Sequence, residues 1–274
     1  MKINVSVRRS GNWLVNEDYS ELLEMNNILS PEDLWNLKGE SVKNFLKERG
    51  TERAFLVQKD GQKIETYVKR YLPLPLKEYF KAAISAKPLF KTGAVHEWEA
   101  IVAFHNEGIP TMIPIAAGVL QDGRSVNITL GITGYTRASD IFSAGPSRSE
   151  RISLISEIAE LAGRMHAAGF AHQDFYLVHL FVTDADKKVL PIDLQRLIMG
   201  RQFPARWQIK DLAQLLYSAE PYVSETDILR FWKKYTSIAG EKLYKNKSFI
   251  RRVISKAQRI KKRSDRKKNR KRNK

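Results

Sequence analysis

The sequence predicts an α+β chain in two lobes. The first is an antiparallel β-sheet with one helix; the second is mainly α-helical. Three observations carry this. Up to Tyr135, short apolar runs alternate with turn signals such as Asp60-Gly61 and QDGR at 121–124. After Pro146 the period becomes helical, with Ile152, Ile155, Ile158, Ala159, Ala162 and His166 tracking one face. Inside the second lobe, HQDFYLVHLFV (172–182) reaches PID (191–193) through two apolar runs around the turn TDADKK, a hairpin with an aspartate at each end. The implied divisions are an N-terminal extension over 1–40 packing on the first lobe, the first lobe over 41–135, the second over 136–255, and a disordered basic tail over 256–274.

In chain order, Asn16–Ile28 and Ser30–Leu37 read as short helices, the second capped by Ser30 with Pro31 in its first turn. Residues 41–71 read as strands, with a loop over Lys47–Arg53 whose only glycine is Gly50. Residues 73–93 form a proline-rich connection with a short helix. The helix beginning near Gly93 buries Val95, Trp98, Ile101, Val102 and Phe104. Strands follow to Tyr135, the last an edge strand whose backbone at Ile132–Gly134, Thr133 included, meets a ligand base. A long helix over Ser147–Phe170 stops at Gly169, and His166 on its apolar face reads as a packed core histidine. Beyond Asp193, a short segment leads to a helix with Asp211 near its start, and two further helices close the lobe.

Composition narrows the function. The 274 residues can bury a sizeable core. There is no cysteine, which excludes disulfides, a thiol nucleophile and a thiolate metal site, and suits a reducing compartment. The N-terminus lacks the apolar core of a signal peptide, and no run is long enough to span a membrane, so a soluble or peripheral protein is expected. The net charge of +17 is concentrated at one end: Lys256–Lys274 holds 12 Lys/Arg and one Asp, leaving +6 for the rest.

The paired aspartates point to phosphoryl transfer. ATP arrives with Mg²⁺ on its phosphates, and one carboxylate must take the proton of the attacking hydroxyl while another holds the metal. Asp174 is the candidate base and Asp193 the candidate metal ligand, nineteen positions apart. His172 braces the loop and Asp211 supports it from beneath. Lys69, with Arg70 as rival, reaches the α- and β-phosphates; Glu97, with Glu99 as rival, holds that lysine. Gly50, helped by Lys47, Arg49 or Arg53, lies over the phosphates although no GxGxxG is present. Singly, each residue has a bland explanation, a turn cap or a solvated charge. The ordered set on elements of the right type matches a protein-kinase-like fold. Only eighteen positions separate Asp193 from Asp211, and no APE-like motif occurs, which argues against a peptide platform.

YVKRY (67–71), Glu97-Trp98 with the following GIPT (108–111), HQDFYLVHLFV, PIDLQR and RWQIKDLAQLLYSA (206–219) resemble the lipopolysaccharide core kinases of the Kdo/heptose kinase family, especially the inner-core heptose branch. The resemblance spans about Asn16–Ile254. It departs at Gln173, where that branch has arginine, and agrees at Tyr176 and His179. It implies an ATP- and Mg²⁺-dependent kinase acting on a hydroxyl of a lipid A–core sugar, heptose by this branch, at the cytoplasmic face of the inner membrane. His179 then stands at a metal- or phosphate-contacting position, although magnesium prefers oxygen. No stable protein partner is implied. The basic tail suits an anionic membrane surface, and it equally raises a second class, nucleic-acid binding, for which it lacks stacking aromatics. A kinase acting on protein or a soluble small molecule, and a pseudokinase scaffold, are the remaining alternatives.

Overall fold

The computed structural model describes residues 5–46, 49–73, 93–200, 204–243 and 245–272. The chain divides into two compact units. One runs to Thr133 and includes Leu194–Arg196; the other holds Gly134–Asp193 and continues from Leu197.

The first unit is built on strands β1 (Val7–Ser10), β2 (Trp13–Asn16), β3 (Glu40–Leu46), β4 (Arg49–Val57), β5 (Lys63–Tyr71), β6 (Pro114–Val119) and β7 (Ser125–Leu130). They form one antiparallel sheet in the order β1-β2-β6-β7-β5-β4-β3. Helices α1 (Ser20–Met25), α2 (Pro31–Asn36) and α3 (Ala94–Asn106) complete the unit. Gly61, at φ +80°, supplies the positive φ of the β4–β5 hairpin. Residues of that hairpin pair without a slip from Arg49↔Tyr71 to Val57↔Lys63.

The period of two in β5 sorts its side chains onto two faces. Val68 packs with Leu34, Leu56, Ile115 and Ile128 beneath α1 and α2. Burying each such side chain stabilises the fold by about 1.5–3 kcal/mol. On the other face, Trp98 of α3 packs on Leu14 and Ala117.

Three expectations need correction here. The N-terminal residues are part of the sheet, because β2 pairs with β6 (Trp13↔Gly118), and Leu23, Ile28 and Leu34 belong to its core. Gly118 admits this layer: a Cβ there would stand 2.6 Å from Pro31 Cγ. Strand β7 is central, between β6 and β5, not an edge. The loop expected over Lys47–Arg53 is strand from Arg49 onward, with Gly50 opposite Arg70 in β4–β5 pairing; Lys47 lies outside the described residues. The proline-rich connection over 74–92 also lies outside them.

The second unit contains β8 (Tyr135–Arg137), α4 (Ala138–Ser143), α5 (Arg148–Ala167), β9 (Phe170–Ala171), β10 (Leu180–Thr183), β11 (Val189–Pro191), β12 (Ile198–Met199), α6 (Arg206–Ala219), α7 (Glu225–Ala239) and α8 (Lys247–Arg272). Ser147 and Glu150 close a capping box on α5, and Ser224 and Asp227 do so on α7. Helices α5 and α7 meet at Gly163, where a Cβ would lie 2.8 Å from Ile238 Cβ.

The expectation of a disordered tail is corrected too. Helix α8 buries Phe249, Val253 and Ala257, one turn apart, and continues to Arg272. Lysine and arginine are good helix formers, and a packed first half removes the cost of nucleation. Among the described residues no helix is long and apolar enough to cross a membrane.

Candidate active site

The predicted residues fall into two groups, one inside each unit. In the first, Lys69 and Asn127 are cross-strand partners on β5 and β7. Lys69 Nζ lies 2.6 Å from Glu97 Oε1. Glu97 is wholly buried, and its Oε2 accepts from the Tyr71 hydroxyl at 2.6 Å and from Asn127 Nδ2 at 2.9 Å. A carboxylate stripped of water is tolerable only with partners of this number and polarity. Glu97, fixed by Tyr71 and Asn127, thus sets where the Lys69 ammonium stands.

The rival residues lie elsewhere. Arg70 points to the other face of β5, where its Nε donates to the Trp35 carbonyl at 2.7 Å and Nη1 meets Glu52 at 2.9 Å. Glu99 is exposed, on the opposite side of α3 from the buried Glu97. Arg53 is paired with Glu40 at 2.5 Å, on the exposed surface of the sheet. Thr133 is an exposed turn residue at the end of the first unit.

In the second unit, β9 delivers the chain to His172. The segment 172–176 leads through a 3-10 turn at Leu177–His179 into β10, and β11 brings it back to Asp193. Asp211 lies on α6, beyond its first turn and with no exposure, so helix-dipole stabilisation of an N-terminal acid does not explain it. Its carboxylate accepts the backbone N–H groups of His172 and Gln173, each at 2.7 Å. It also lies 3.3 Å from His166 Nε2, whose Nδ1 is 2.9 Å from the Tyr235 hydroxyl. His166 is therefore more than core packing. A tyrosine O–H donated to Nδ1 leaves Nε2–H for Asp211, and burial pushes the Tyr235 phenol pKa up, keeping that proton in place.

His172 is fully buried, and desolvation holds its pKa below the usual histidine value. Its Nδ1 accepts the Asp174 N–H at 3.2 Å, so Nε2–H donates to the Ile192 carbonyl, 2.9 Å away. One neutral ring ties the backbone of Asp174 to the residue before Asp193. His179 Nδ1–H donates to the Asp174 carbonyl at 2.7 Å, leaving the Nε2 lone pair uncommitted to that bond. Gln173 and Asp193 sit at φ +68° and +65°, left-handed conformations that non-glycine residues adopt at a cost and that gather at functional sites.

Asp174, His179 and Asp193 each offer a ligand atom within 4.8 Å of the others. The Asp193 carboxylate fits a hard divalent cation such as Mg²⁺, and an imidazole nitrogen adds a donor better suited to transition metals. The group can hold a cation beside a carboxylate able to take a proton. Four contributors escaped the sequence reading: Tyr71 and Asn127 on Glu97, and Gln214 and Ser218, which accept the Phe175 and Leu177 N–H groups. The last two had a visible signal, being polar residues on the same helical face as Asp211.

Residues 32–235 match the family described as "Lipopolysaccharide kinase (Kdo/WaaP) family". The lipopolysaccharide core heptose(I) kinase WaaP of Pseudomonas aeruginosa is 32% identical over 186 residues, covering 62% of this chain and 68% of that protein. The enzyme of the same description from Escherichia coli K12 is 28% identical over 228 residues, covering 73% and 82%. Among solved structures, WaaP in complex with acyl carrier protein superposes with a TM-score of 0.69 at 24% identity, over 90% of this chain and 98% of that one. The fold is thereby that of the protein-kinase-like enzymes the sequence resembles.

Proposed function

Because the chain belongs to the lipopolysaccharide kinase (Kdo/WaaP) family, we propose that it transfers the γ-phosphate of ATP to a heptose hydroxyl of the lipopolysaccharide inner core. The observation that carries the mechanism is the Asp174–His179–Asp193 cluster, with Asp174 on a loop whose backbone is bonded to a buried aspartate.

Asp174 orients the acceptor hydroxyl and takes its proton as the oxygen–phosphorus bond forms; the bond from Pγ to the bridging oxygen breaks and ADP leaves. Lys69, held by Glu97, neutralises the α- and β-phosphates. Asp193, with His179, would hold Mg²⁺, which supplies charge neutralisation on the β- and γ-phosphates. His172 keeps the two aspartate-bearing segments tied together. A sugar acceptor, rather than a peptide, is supported by the short stretch between Asp193 and Asp211.

Helix α8 carries the charge that would seat the enzyme on the anionic membrane bearing this acceptor, at about 1 kcal/mol per basic residue near the surface. We place that surface at the cytoplasmic face of the inner membrane. The neighbour solved with acyl carrier protein makes a carrier-protein partner a proposal for this chain also, in place of the expectation of none; co-purification would test it.

Asp174→Ala should lower turnover by at least about 10³-fold while leaving the Kd for Mg·ATP within about threefold, since only the proton acceptor is lost. Turnover close to that of the unaltered chain would end the assignment.

A further inference from the structure

The geometry points to Gln214 as a positioning residue that fixes the direction of the Asp174 side chain by holding both peptide groups that flank it. The inference rests on the proposed role of Asp174. Gln214 lies on α6, three residues after Asp211, and is buried. Its Nε2–H donates to the Gln173 carbonyl at 3.1 Å, and its Oε1 accepts the Phe175 N–H, also at 3.1 Å. The two partners settle the amide's orientation, because a carbonyl needs a donor and an N–H needs an acceptor.

The consequence is geometric. Peptide units are planar, so a residue's φ and ψ are fixed once the planes on either side of it are fixed. The Gln173 carbonyl belongs to the plane before Asp174 and the Phe175 N–H to the plane after it. One primary amide therefore holds residue 174 as an adjacent strand would, and the Cα–Cβ direction of Asp174 follows. Gln214 acts through the backbone, by its bonds to the Gln173 carbonyl and the Phe175 N–H, and not through the Asp174 carboxylate.

The chemistry selects glutamine. The position needs an acceptor and a donor on one rigid planar group, at this distance from the helix. Glutamate lacks the donor and would set an oxygen against the Gln173 carbonyl. Leucine has neither group, and asparagine is a methylene short.

Neighbours on the same face extend the pattern. Asp211 takes the His172 and Gln173 N–H groups, and Ser218 Oγ takes the Leu177 N–H at 3.1 Å while donating to the Leu215 carbonyl. Residues 211, 214 and 218 are spaced three and four apart, which aligns them on one helical stripe. Helix α6 thus serves the loop as a hydrogen-bonding edge. A misplacement of about 1 Å at a reacting group can cost about 10²-fold in rate, so such an edge bears directly on turnover.

The test uses the full chain with Gln214→Leu and Gln214→Glu, and two readouts. Amide hydrogen exchange at 172–177 reports the clamp without reference to activity. Phosphate transfer to dephosphorylated lipopolysaccharide core, split into kcat and KM for ATP, reports its purpose. In Gln214→Leu the Phe175 amide should exchange at least about 10-fold faster, and kcat should fall about 10- to 100-fold with KM for ATP changed less than about threefold. Gln214→Glu should keep the Phe175 amide protected, since its acceptor remains, and still lose kcat. If Gln214→Leu does not fold, Gln214→Glu carries the test alone. Unchanged exchange at Phe175 in Gln214→Leu, or a change confined to KM in either variant, would overturn the inference. Faster exchange in Gln214→Leu, in a chain that phosphorylates no sugar even unaltered, would support the clamp and overturn the proposed acceptor.

Discussion

Glu97 receives donors from three side chains, and this makes the Lys69–Glu97 pair separable into structural and functional parts. Lys69→Ala leaves a wholly buried carboxylate with one charge partner fewer, a change that costs about 3 kcal/mol when a buried pair is broken. Adding Glu97→Gln removes the stranded charge. The double variant should recover most of the lost stability but none of the activity, because the ammonium proposed to meet the phosphates is still missing. Thermal unfolding and ATP turnover on the unaltered chain and both variants check this. Recovery of activity in the double variant would move the phosphate contact away from Lys69. A pH effect belongs to the same scale. Burial holds the pKa values of His105 and His172 below the usual value of about 6.5. As pH falls through about 6.5, the unfolded chain gains protons that the folded chain refuses, so stability is full above that pH and declines below it. Tm should drop between pH 7 and 5.5, and His105→Gln, which keeps a donor for the Met112 carbonyl, should shallow the slope. An identical slope in the variant would contradict the burial account. Asp174 and Asp193 were legible in the sequence because their relation is a spacing along the chain. The choices between Lys69 and Arg70, and between Glu97 and Glu99, were not. They depend on which face of β5 and of α3 looks where, and neighbouring residues on a strand always look opposite ways.

At the scale of elements, α6 and α8 hold most of what the sequence concealed. Asp211 reads as a residue near a helix start when its helix is begun too late; the helix opens at Arg206, and the aspartate sits deep enough in it to reach the His172 and Gln173 N–H groups. For α8, the sequence predicts a closing helix over 245–262 but assigns 256–274 to a solvated tail, since charge alone does not say whether a segment is folded. Its apolar positions, Phe249, Val253 and Ala257, lie at helical spacing and carry the folding into the basic half. The Lys261–Glu220 pair beside them is exposed and contributes little. Removing 262–274 takes away nine Lys/Arg and one Asp while sparing those contacts. The truncated chain should therefore keep Tm within about 2 °C and lose most of its affinity for phosphatidylserine-containing vesicles at low salt, with a weaker salt dependence than the full chain. Vesicle binding unchanged by the truncation would remove α8 as the membrane contact. The β1–β2 hairpin was hidden for a different reason: four-residue strands, one of them exposed along its length, give too short a pattern to distinguish from loop.

At the scale of the molecule, the family match over 32–235 takes in the lysine, its glutamate, the paired aspartates and α6, but neither the N-terminal hairpin nor the basic helix. If α8 makes the membrane contact proposed above, its removal should spare phosphoryl transfer to a soluble acceptor and impair transfer to a lipid-linked one. The most direct measurement is transfer of labelled γ-phosphate from Mg·ATP to dephosphorylated lipopolysaccharide core, run beside a generic protein substrate and with Asp174→Ala as control. The account predicts label in a core heptose, none in protein, and none with the variant. Label in protein alone, or label in the core that persists in Asp174→Ala, would contradict it.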